Sequence, residues 1–225
     1  MNNESFLPSA CPLGQGPSLT FKRAILLVPV MLLAVATTGW PVVLYDNGTF
    51  TTSGNAFSDP SFPAQAGDDF TLSMAGTAQQ IQWWGVYFGS PAPVQDNFTI
   101  GFFSFTGSVP DVNPLASYAI GNNLTRTDTG QDTLGGLDIF QYSATIPDTA
   151  LAAGTPYLLS IVNDTTPNWG WTFSPVNAGR WFRSSDQGSW GSFDNTPGLA
   201  FNISGTVAPP TVPEGGTSAL LLGVA

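Results

Sequence analysis

The chain has no histidine and a single cysteine, Cys11, among its 225 residues. These absences remove imidazole bases and leave almost nothing for thiolate nucleophiles or the usual soft ligands of zinc and copper. One cysteine also excludes a disulfide within the chain. An extracellular domain without disulfides has to be held by its buried core, a pattern more typical of bacterial surface proteins than of small secreted eukaryotic domains.

Basic residues are also scarce, with five Lys and Arg against fifteen Asp and Glu and a formal net charge of −10. The one lysine, Lys22, stands beside Arg23, and the other basic residues are Arg126, Arg180 and Arg183. Binding a nucleic acid requires many cationic contacts that release counterions from the phosphates. The composition therefore excludes nucleic acid as a partner.

Charge is low, but apolar residues are plentiful. Hydrophobic residues make up 42% of the chain and aromatic residues 12%, which is more than a disordered chain contains. The sequence therefore predicts a folded core, within one all-β domain or two small ones.

An export signal is predicted over residues 1–36. Lys22 and Arg23 precede an apolar run that is too short to span a bilayer comfortably, and Ala34 and Ala36 close it with a small-x-small cleavage pattern. We expect a signal helix with a long N-terminal region, and cleavage after Ala36. An uncleaved N-terminal anchor is the alternative.

The body, residues 37–205, reads as many short strands without a helical pattern of useful length. Residues 98–102, 140–146 and 199–203 alternate between apolar and polar, as half-buried strands do. Residues 81–88 and 157–162 are apolar on both faces, which predicts central strands covered on both sides. Together these patterns favour a two-sheet antiparallel sandwich of jelly-roll type.

Tryptophans are the first candidate functional residues. Four of them fall in loop-like or Gly-rich stretches: Trp169, Trp171, Trp181 and Trp190. Flat aromatic faces bind the apolar faces of sugar rings, so one interpretation is a glycan-stacking platform with Trp190 as its best surface candidate. The other interpretation is ordinary core packing, since buried aromatics dominate β-sandwich cores.

Acidic residues near predicted strand ends are the second set of candidates. Asp68, Asp69 and Asp96 offer the hard oxygen ligands that calcium prefers, although their spacing fits no known calcium loop. Asp is also an ordinary turn former. We therefore predict no cofactor, with calcium at these three residues as the alternative.

Catalysis is not predicted. No Ser-His-Asp, Ser-Lys, zinc or phosphate-loop pattern can be assembled from these residues. Paired carboxylates are the one catalytic chemistry for which the raw material exists, so the alternative to a non-catalytic protein is an extracellular glycoside hydrolase that uses two Asp residues.

The C-terminal region carries a second candidate targeting signal, after the export signal over residues 1–36. Residues 206–213 form a Pro-rich stretch that is expected to act as a stiff linker. Its end, Val212-Pro213-Glu214, is followed by two glycines and an apolar run. Residues 214–225 are interpreted as the start of a sorting and transmembrane segment.

This tail resembles those of PEP-CTERM proteins, in which a Val-Pro-Glu or Val-Pro-Asp motif precedes a transmembrane helix and a basic end recognised by an exosortase. Gly215 and Gly216 look like a Gly-rich variant of that motif. Most of the helix and the whole basic end are missing, which predicts a truncated C-terminus. An incidental apolar end is the alternative.

The body also resembles the domains that precede such tails, over residues 68–70, 81–87, 96–100, 157–164 and 169–171. The resemblance implies a secreted or cell-surface β-sandwich exported with the exopolysaccharide or biofilm matrix. It implies an exosortase-type sorting enzyme and polysaccharide as partners, and contact with the membrane only through the signal and the C-terminal segment. The family has no established reaction, so no site residues transfer.

Overall fold

The computed structural model describes residues 41–208, apart from the side chains of residues 177 and 178. This part of the chain is built of strands joined by turns and loops. The strands are β1 (Val42–Asp46), β2 (Asn55–Phe57), β3 (Gln65–Thr71), β4 (Gly76–Tyr87), β5 (Phe98–Phe103), β6 (Phe105–Thr106), β7 (Val109–Pro110), β8 (Ala116–Gly121), β9 (Thr125–Asp132), β10 (Asp138–Leu151), β11 (Pro156–Asn163), β12 (Trp169–Arg183), β13 (Gly191–Leu199) and β14 (Phe201–Val207).

Twelve of these strands form one curled antiparallel sheet, and β6 and β7 form a second, two-stranded sheet. Part of the large sheet, called here the β4 group, runs in the order β9, β10, β4, β14 and β1. Another part, the β11 group, runs in the order β3, β11, β5 and β8. The all-β, antiparallel prediction is confirmed.

Strand β12 belongs to both groups because it is long. Its first residues, Trp169–Trp171, pair with β4, whereas its last residues, Trp181–Arg183, pair with β3. The edge strands β2 and β13 pair with β12 as well. One strand therefore connects the β4 group to the β11 group through backbone hydrogen bonds.

The predicted alternation within strands is present. In β5 the side chains of Phe98, Ile100 and Phe102 are fully buried, while Thr99 between them is exposed. Successive side chains of a strand point to opposite faces, so this pattern places one face of β5 on the core. The same holds for β10 and for the start of β14.

Strands β4 and β11 are covered on both faces, as their apolar sequences predict. In β4, Trp83 faces the main core, whereas Trp84 packs on the other side with Ile139 and Phe50. In β11, Leu158 is likewise buried on the outer face, under a loop. Segments without a polar face thus occupy interior positions of the sheet.

Aromatic rings join the two groups across the core. Phe98 of the β11 group packs edge-on against Trp83 and against Trp169, each with ring centroids 5.1 Å apart. Tyr142 stacks on Trp83 at 5.5 Å. Edge-to-face and offset pairs of this kind add stabilisation beyond the area that they bury.

Several predictions fall outside the described residues. The signal peptide over residues 1–36, with Ala34 and Ala36, is one of them, and the motif Val212-Pro213-Glu214 with the segment after it is another. At the end of the body, β14 continues to Val207. Within residues 41–208, no helix has the length and apolar character needed to cross a bilayer.

A close approach in the core explains the glycine of the Trp-Trp-Gly sequence in β4. A Cβ atom at Gly85 would overlap the ring of Trp169. We expect Gly85→Ala to lower the free energy of unfolding by about 1–3 kcal/mol, because a close-packed core has no room for the added methyl group. Urea denaturation measures the change.

The matched control is Gly135→Ala, where the added Cβ would stand 3.7 Å from the nearest atom, the Thr133 hydroxyl oxygen. This variant is expected to stay within about 0.5 kcal/mol of the parent. Equal stabilities of the two variants would contradict the predicted overlap.

Candidate functional site

The structure buries three of the four candidate tryptophans. Trp169 and Trp171 have no exposed surface, and Trp190 is 5% exposed. The indole nitrogen of Trp171 donates to the carbonyl oxygen of Ala200 at 2.9 Å. Trp169 and Trp171 therefore serve the aromatic core that the sequence offered as the second interpretation, and neither presents a ring face to solvent.

The prediction that Trp190 lies at the surface is wrong. Although its neighbours are a short Gly- and Ser-rich loop, its ring packs edge-on against Phe103 with centroids 5.2 Å apart. Its indole nitrogen donates to the carbonyl oxygen of Asp111 at 3.2 Å. Leu158 of β11 needs a cover on the outer face of the sheet, and Trp190 provides it.

Trp181 differs from the other three because it is partly exposed. Its indole nitrogen donates to Oδ1 of Asp69 at 3.0 Å, and its ring meets Phe105 edge-on at 5.7 Å. Among the four candidates, it is the one that retains solvent-accessible ring surface.

The three acidic candidates take part in separate contacts. Asp96 accepts from the Tyr87 hydroxyl, from Nδ2 of Asn163 at 3.0 Å and from Nη1 of Arg126 at 3.1 Å. Asp69 accepts from Trp181, as described above. Within residues 41–208, no group of three or more Asp, Glu, His or Cys side chains is placed to hold a metal ion, so Asp68, Asp69 and Asp96 are not assembled into the calcium site considered from the sequence.

Asp68 is fully buried beneath the end of β13. Its Oδ2 accepts from the backbone N–H of Leu199 at 2.5 Å and from Nδ2 of Asn47 at 2.8 Å. Burial raises the pKa of Asp68 to about 8, and these two hydrogen bonds oppose that shift. The carboxyl thus ties together β3, β13 and the loop after β1.

An open groove on the outer face of the β11 group has a volume of about 460 Å³. Phe103, Ser160 and Val162 lie buried in it, and Thr99 and Ser117 stand exposed beside them. The loop after β12 contributes further lining residues. We call this site the β11 groove.

The groove exists because the outer face of β5 and β11 carries small and polar side chains. Gly101 adds no side chain to this face, and Ser160 donates its hydroxyl to the carbonyl oxygen of Ala66 at 2.8 Å. Opposite, Asp186 and Gln187 are exposed on the loop that follows β12. The walls therefore present amide, carboxylate and hydroxyl groups to solvent.

Arg183 is the buried cation of the groove. Its Nε donates to Oε1 of Gln65 at 2.6 Å, and its Nη1 donates to the carbonyl oxygen of Val112 at 2.8 Å. The guanidinium also lies 4.5 Å from the ring of Trp190 and 4.9 Å from that of Phe103. Burial lowers its pKa, and the nearby Asp186 opposes the shift, but a guanidinium stays protonated in proteins.

The charged groups that line the groove leave an excess of one negative charge. Arg183 is its one cation, and Asp164 and Asp186 are its two acids. Arg183 Nη2 stands 3.7 Å from Asp186 Oδ1, while Gln65 donates to the same carboxylate oxygen. A site with this balance suits a neutral ligand that is rich in hydroxyl groups better than a strongly charged one.

Sequence reasoning missed this site. Thr99 looks like the solvent-facing position of a half-buried strand, and Ser160 falls in a run predicted to be a central strand. These residues and Arg183 come together only through the pairing of β5, β11, β3 and β12. One signal was present: Arg183 is one of only five basic residues in the chain, and it follows directly on aromatic neighbours.

Comparison with known proteins adds no relative, since no family model matches the chain and no curated protein matches it. The walls of the β11 groove carry the groups that a ligand would contact. Hydroxyl and amide groups on the walls can exchange hydrogen bonds with a polyhydroxylated molecule. Phe103 and Val162 on the floor are only 3% and 9% exposed, so the floor adds little apolar contact.

The buried carboxyl of Asp68 predicts a pH dependence of stability. Its pKa is about 8 in the folded state and about 3.9 in an unfolded chain, so the folded state binds the proton more tightly. This contribution is complete below about pH 4 and is lost as the pH rises to about 8. We expect the free energy of unfolding to fall over that range by at least about 1.4 kcal/mol, the equivalent of one pKa unit.

Urea denaturation at a series of pH values measures this effect, and Asp68→Asn should flatten the profile. Asp132→Asn, at an exposed carboxylate, is the control and should leave the slope unchanged. If the free energy of unfolding has the same slope against pH in the parent and in Asp68→Asn, the pKa of the Asp68 carboxyl does not change on folding.

Proposed function

We propose that this chain is an exported bacterial surface or matrix protein, non-catalytic, whose body binds neutral polysaccharide in the β11 groove. In this proposal the body is a two-sheet, jelly-roll-like sandwich in which the β4 group and the β11 group are the two layers. Aromatic contacts such as Phe98 with Trp83 support that layering.

The observation that carries the proposal is the composition of the groove. A volume of about 460 Å³ lies within the range of about 300–1,000 Å³ that small-molecule sites occupy. Its polar walls can exchange hydrogen bonds with the hydroxyl groups that stand along the edge of a sugar ring. With two acids and one cation in its lining, the groove favours neutral sugars over acidic ones.

The surface location is proposed from the ends of the sequence. The apolar run after Arg23 supports general export, and Val212-Pro213-Glu214 supports sorting by an exosortase-type enzyme. Low basic content and the absence of a disulfide fit a protein of the bacterial cell surface.

Glycoside hydrolysis is the second candidate because two acids, Asp164 and Asp186, line the same groove. Both carboxylates are exposed, and Asp186 already contacts Arg183 and Gln65. These contacts favour binding over hydrolysis.

Blocking the groove tests the binding proposal. Thr99→Tyr places a ring in the groove from the exposed side of β5, and we expect affinity for neutral polysaccharide to fall by at least about tenfold, equivalent to about 1.4 kcal/mol. Affinity gel electrophoresis against a panel of neutral polysaccharides measures the change. Thr127→Tyr, at an exposed threonine of β9 outside the groove, is the matched control.

The proposal would be contradicted if no neutral polysaccharide in the panel retarded the parent protein. Equal retardation of Thr99→Tyr and Thr127→Tyr would contradict it as well. Release of reducing ends from a retarded polysaccharide, abolished by Asp164→Asn, would instead support the hydrolase.

Export makes a separate prediction. When the full chain is expressed in a bacterium, the protein outside the cytoplasm should begin at Thr37, because cleavage follows Ala36. N-terminal sequencing or mass spectrometry of the released protein measures the start. An exported protein that keeps residues 1–36 would show that the N-terminus is an anchor.

A further inference from the structure

A second concave site lies on the other face of the strands that build the β11 groove. Gln65 and Arg183 line the groove, whereas their chain neighbours Ala66 and Phe182 line this second site. Adjacent residues of a strand point to opposite faces, so Ala66 and Phe182 point away from the groove. Trp181 also lines the second site, although it packs with the apolar cluster on the outer face. We call the second site the aromatic pocket, and its volume is about 330 Å³.

Phenylalanine rings make up much of its wall. Phe57, Phe62, Phe182 and Phe193 all line it, and Phe62 and Phe193 remain 48% and 49% exposed. Phe57 stacks on Phe62 at 4.2 Å and on Phe88 at 4.1 Å, which extends the aromatic surface beyond the pocket. Phe57 therefore has both ring faces covered, and the half-exposed rings of Phe62 and Phe193 supply the apolar surface that solvent reaches.

Arg180 supplies the one charge of the pocket lining. Its guanidinium carbon lies 4.6 Å from the ring centroid of Phe173 and 5.9 Å from that of Phe193, and Nη1 donates to the carbonyl oxygen of Pro197 at 3.1 Å. In the part of the chain that the structure describes, Arg126 and Arg183 have carboxylate partners at ion-pair distance, and Arg180 has none.

The environment of this cation favours an anionic ligand. Arg180 is partly exposed, and burial of the remainder lowers its pKa while the charge of Asp68 opposes the shift. It stays protonated, and a partly desolvated charge interacts more strongly with an anion than an exposed one does. A planar guanidinium matches a carboxylate with two parallel hydrogen bonds.

We propose that the aromatic pocket binds a uronate, the carboxylate-bearing sugar unit of an acidic polysaccharide. The sugar ring packs on the phenylalanine faces, and its carboxylate pairs with Arg180. The proposal rests on the wider function of polysaccharide binding, but it assigns a different ligand class to a different face. The net charge of −10 opposes polyanions at long range, so recognition depends on this contact.

The test compares two matched ligands on the full chain. Isothermal titration calorimetry with a uronic-acid tetrasaccharide and with its carboxyl-reduced, neutral counterpart measures the preference for the carboxylate. We expect the parent to bind the uronate at least about tenfold more tightly, equivalent to about 1.4 kcal/mol. Equal affinities, or no binding of the uronate, would overturn the proposal.

Variants locate the site. Arg180→Gln should remove the preference for the uronate and leave affinity for the reduced sugar unchanged, whereas Arg180→Lys should retain part of it. Phe193→Ala should weaken both ligands, because the ring face is lost. If circular dichroism shows that Arg180→Gln is unfolded, Phe193→Ala serves as the test, because its side chain is exposed. Unchanged affinity of Phe193→Ala for the uronate overturns the assignment.

Thr99→Tyr, which blocks the β11 groove, separates this proposal from the wider one. Uronate binding is expected to be the same in this variant as in the parent. If the protein binds the uronate but no neutral polysaccharide retards it, the result supports the aromatic pocket and rejects the β11 groove as a binding site. The reverse result would reject the pocket alone, and loss of uronate binding in Thr99→Tyr would place the uronate in the groove.

Discussion

The packing of Trp169 against Gly85 and Phe98 is the contact on which the rest of the fold depends. Trp169 opens β12, Gly85 lies in β4 and Phe98 opens β5, so this one indole touches both strand groups. With no disulfide available, burial of such rings has to supply the free energy that holds the groups together. The orientation of β12 follows from this contact, and both candidate sites are built on the far end of β12.

Near the β11 groove, the residue that covers an apolar side chain also positions polar groups of the groove. Leu158 would lie exposed on the outer face of β11 without Trp190, and Trp190 in turn supports the guanidinium of Arg183. Arg183 then fixes Gln65, the neighbour of Asp186. The tryptophan that the sequence suggested as a ligand platform thus acts one layer below the groove, where it positions polar groups.

Sequence periodicity identified the strands well because burial alternates along them. The patterns at Phe98 and Phe102 of β5, and the two-faced apolar run of β4, required no knowledge of pairing. Exposure of individual aromatics could not be inferred in this way. Gly188 and Gly191 make the surroundings of Trp190 look like a surface loop, and its burial depends on Phe103 and Leu158, residues that are far away in sequence.

The sites were beyond sequence reasoning for the same reason. Thr99, Ser160 and Gln65 carry no motif, and each is an ordinary strand residue until the register places them together. Asp68 and Asp69 are adjacent in the chain, yet strand alternation sends one into the core and the other to Trp181. A cluster in sequence is therefore divided by the sheet, and residues scattered in sequence are assembled by it.

The alternation of Phe182 and Arg183 along β12 has a consequence for material properties. The two proposed sites are built by neighbouring residues of one strand, so a single copy of the body has two binding sites. The β11 groove takes neutral sugars, and the aromatic pocket takes acidic ones. Such a molecule joins a neutral polymer to an acidic one without forming a dimer. The density of crosslinks in a mixed gel would then scale with the amount of protein until the binding sites on the less abundant polymer are filled.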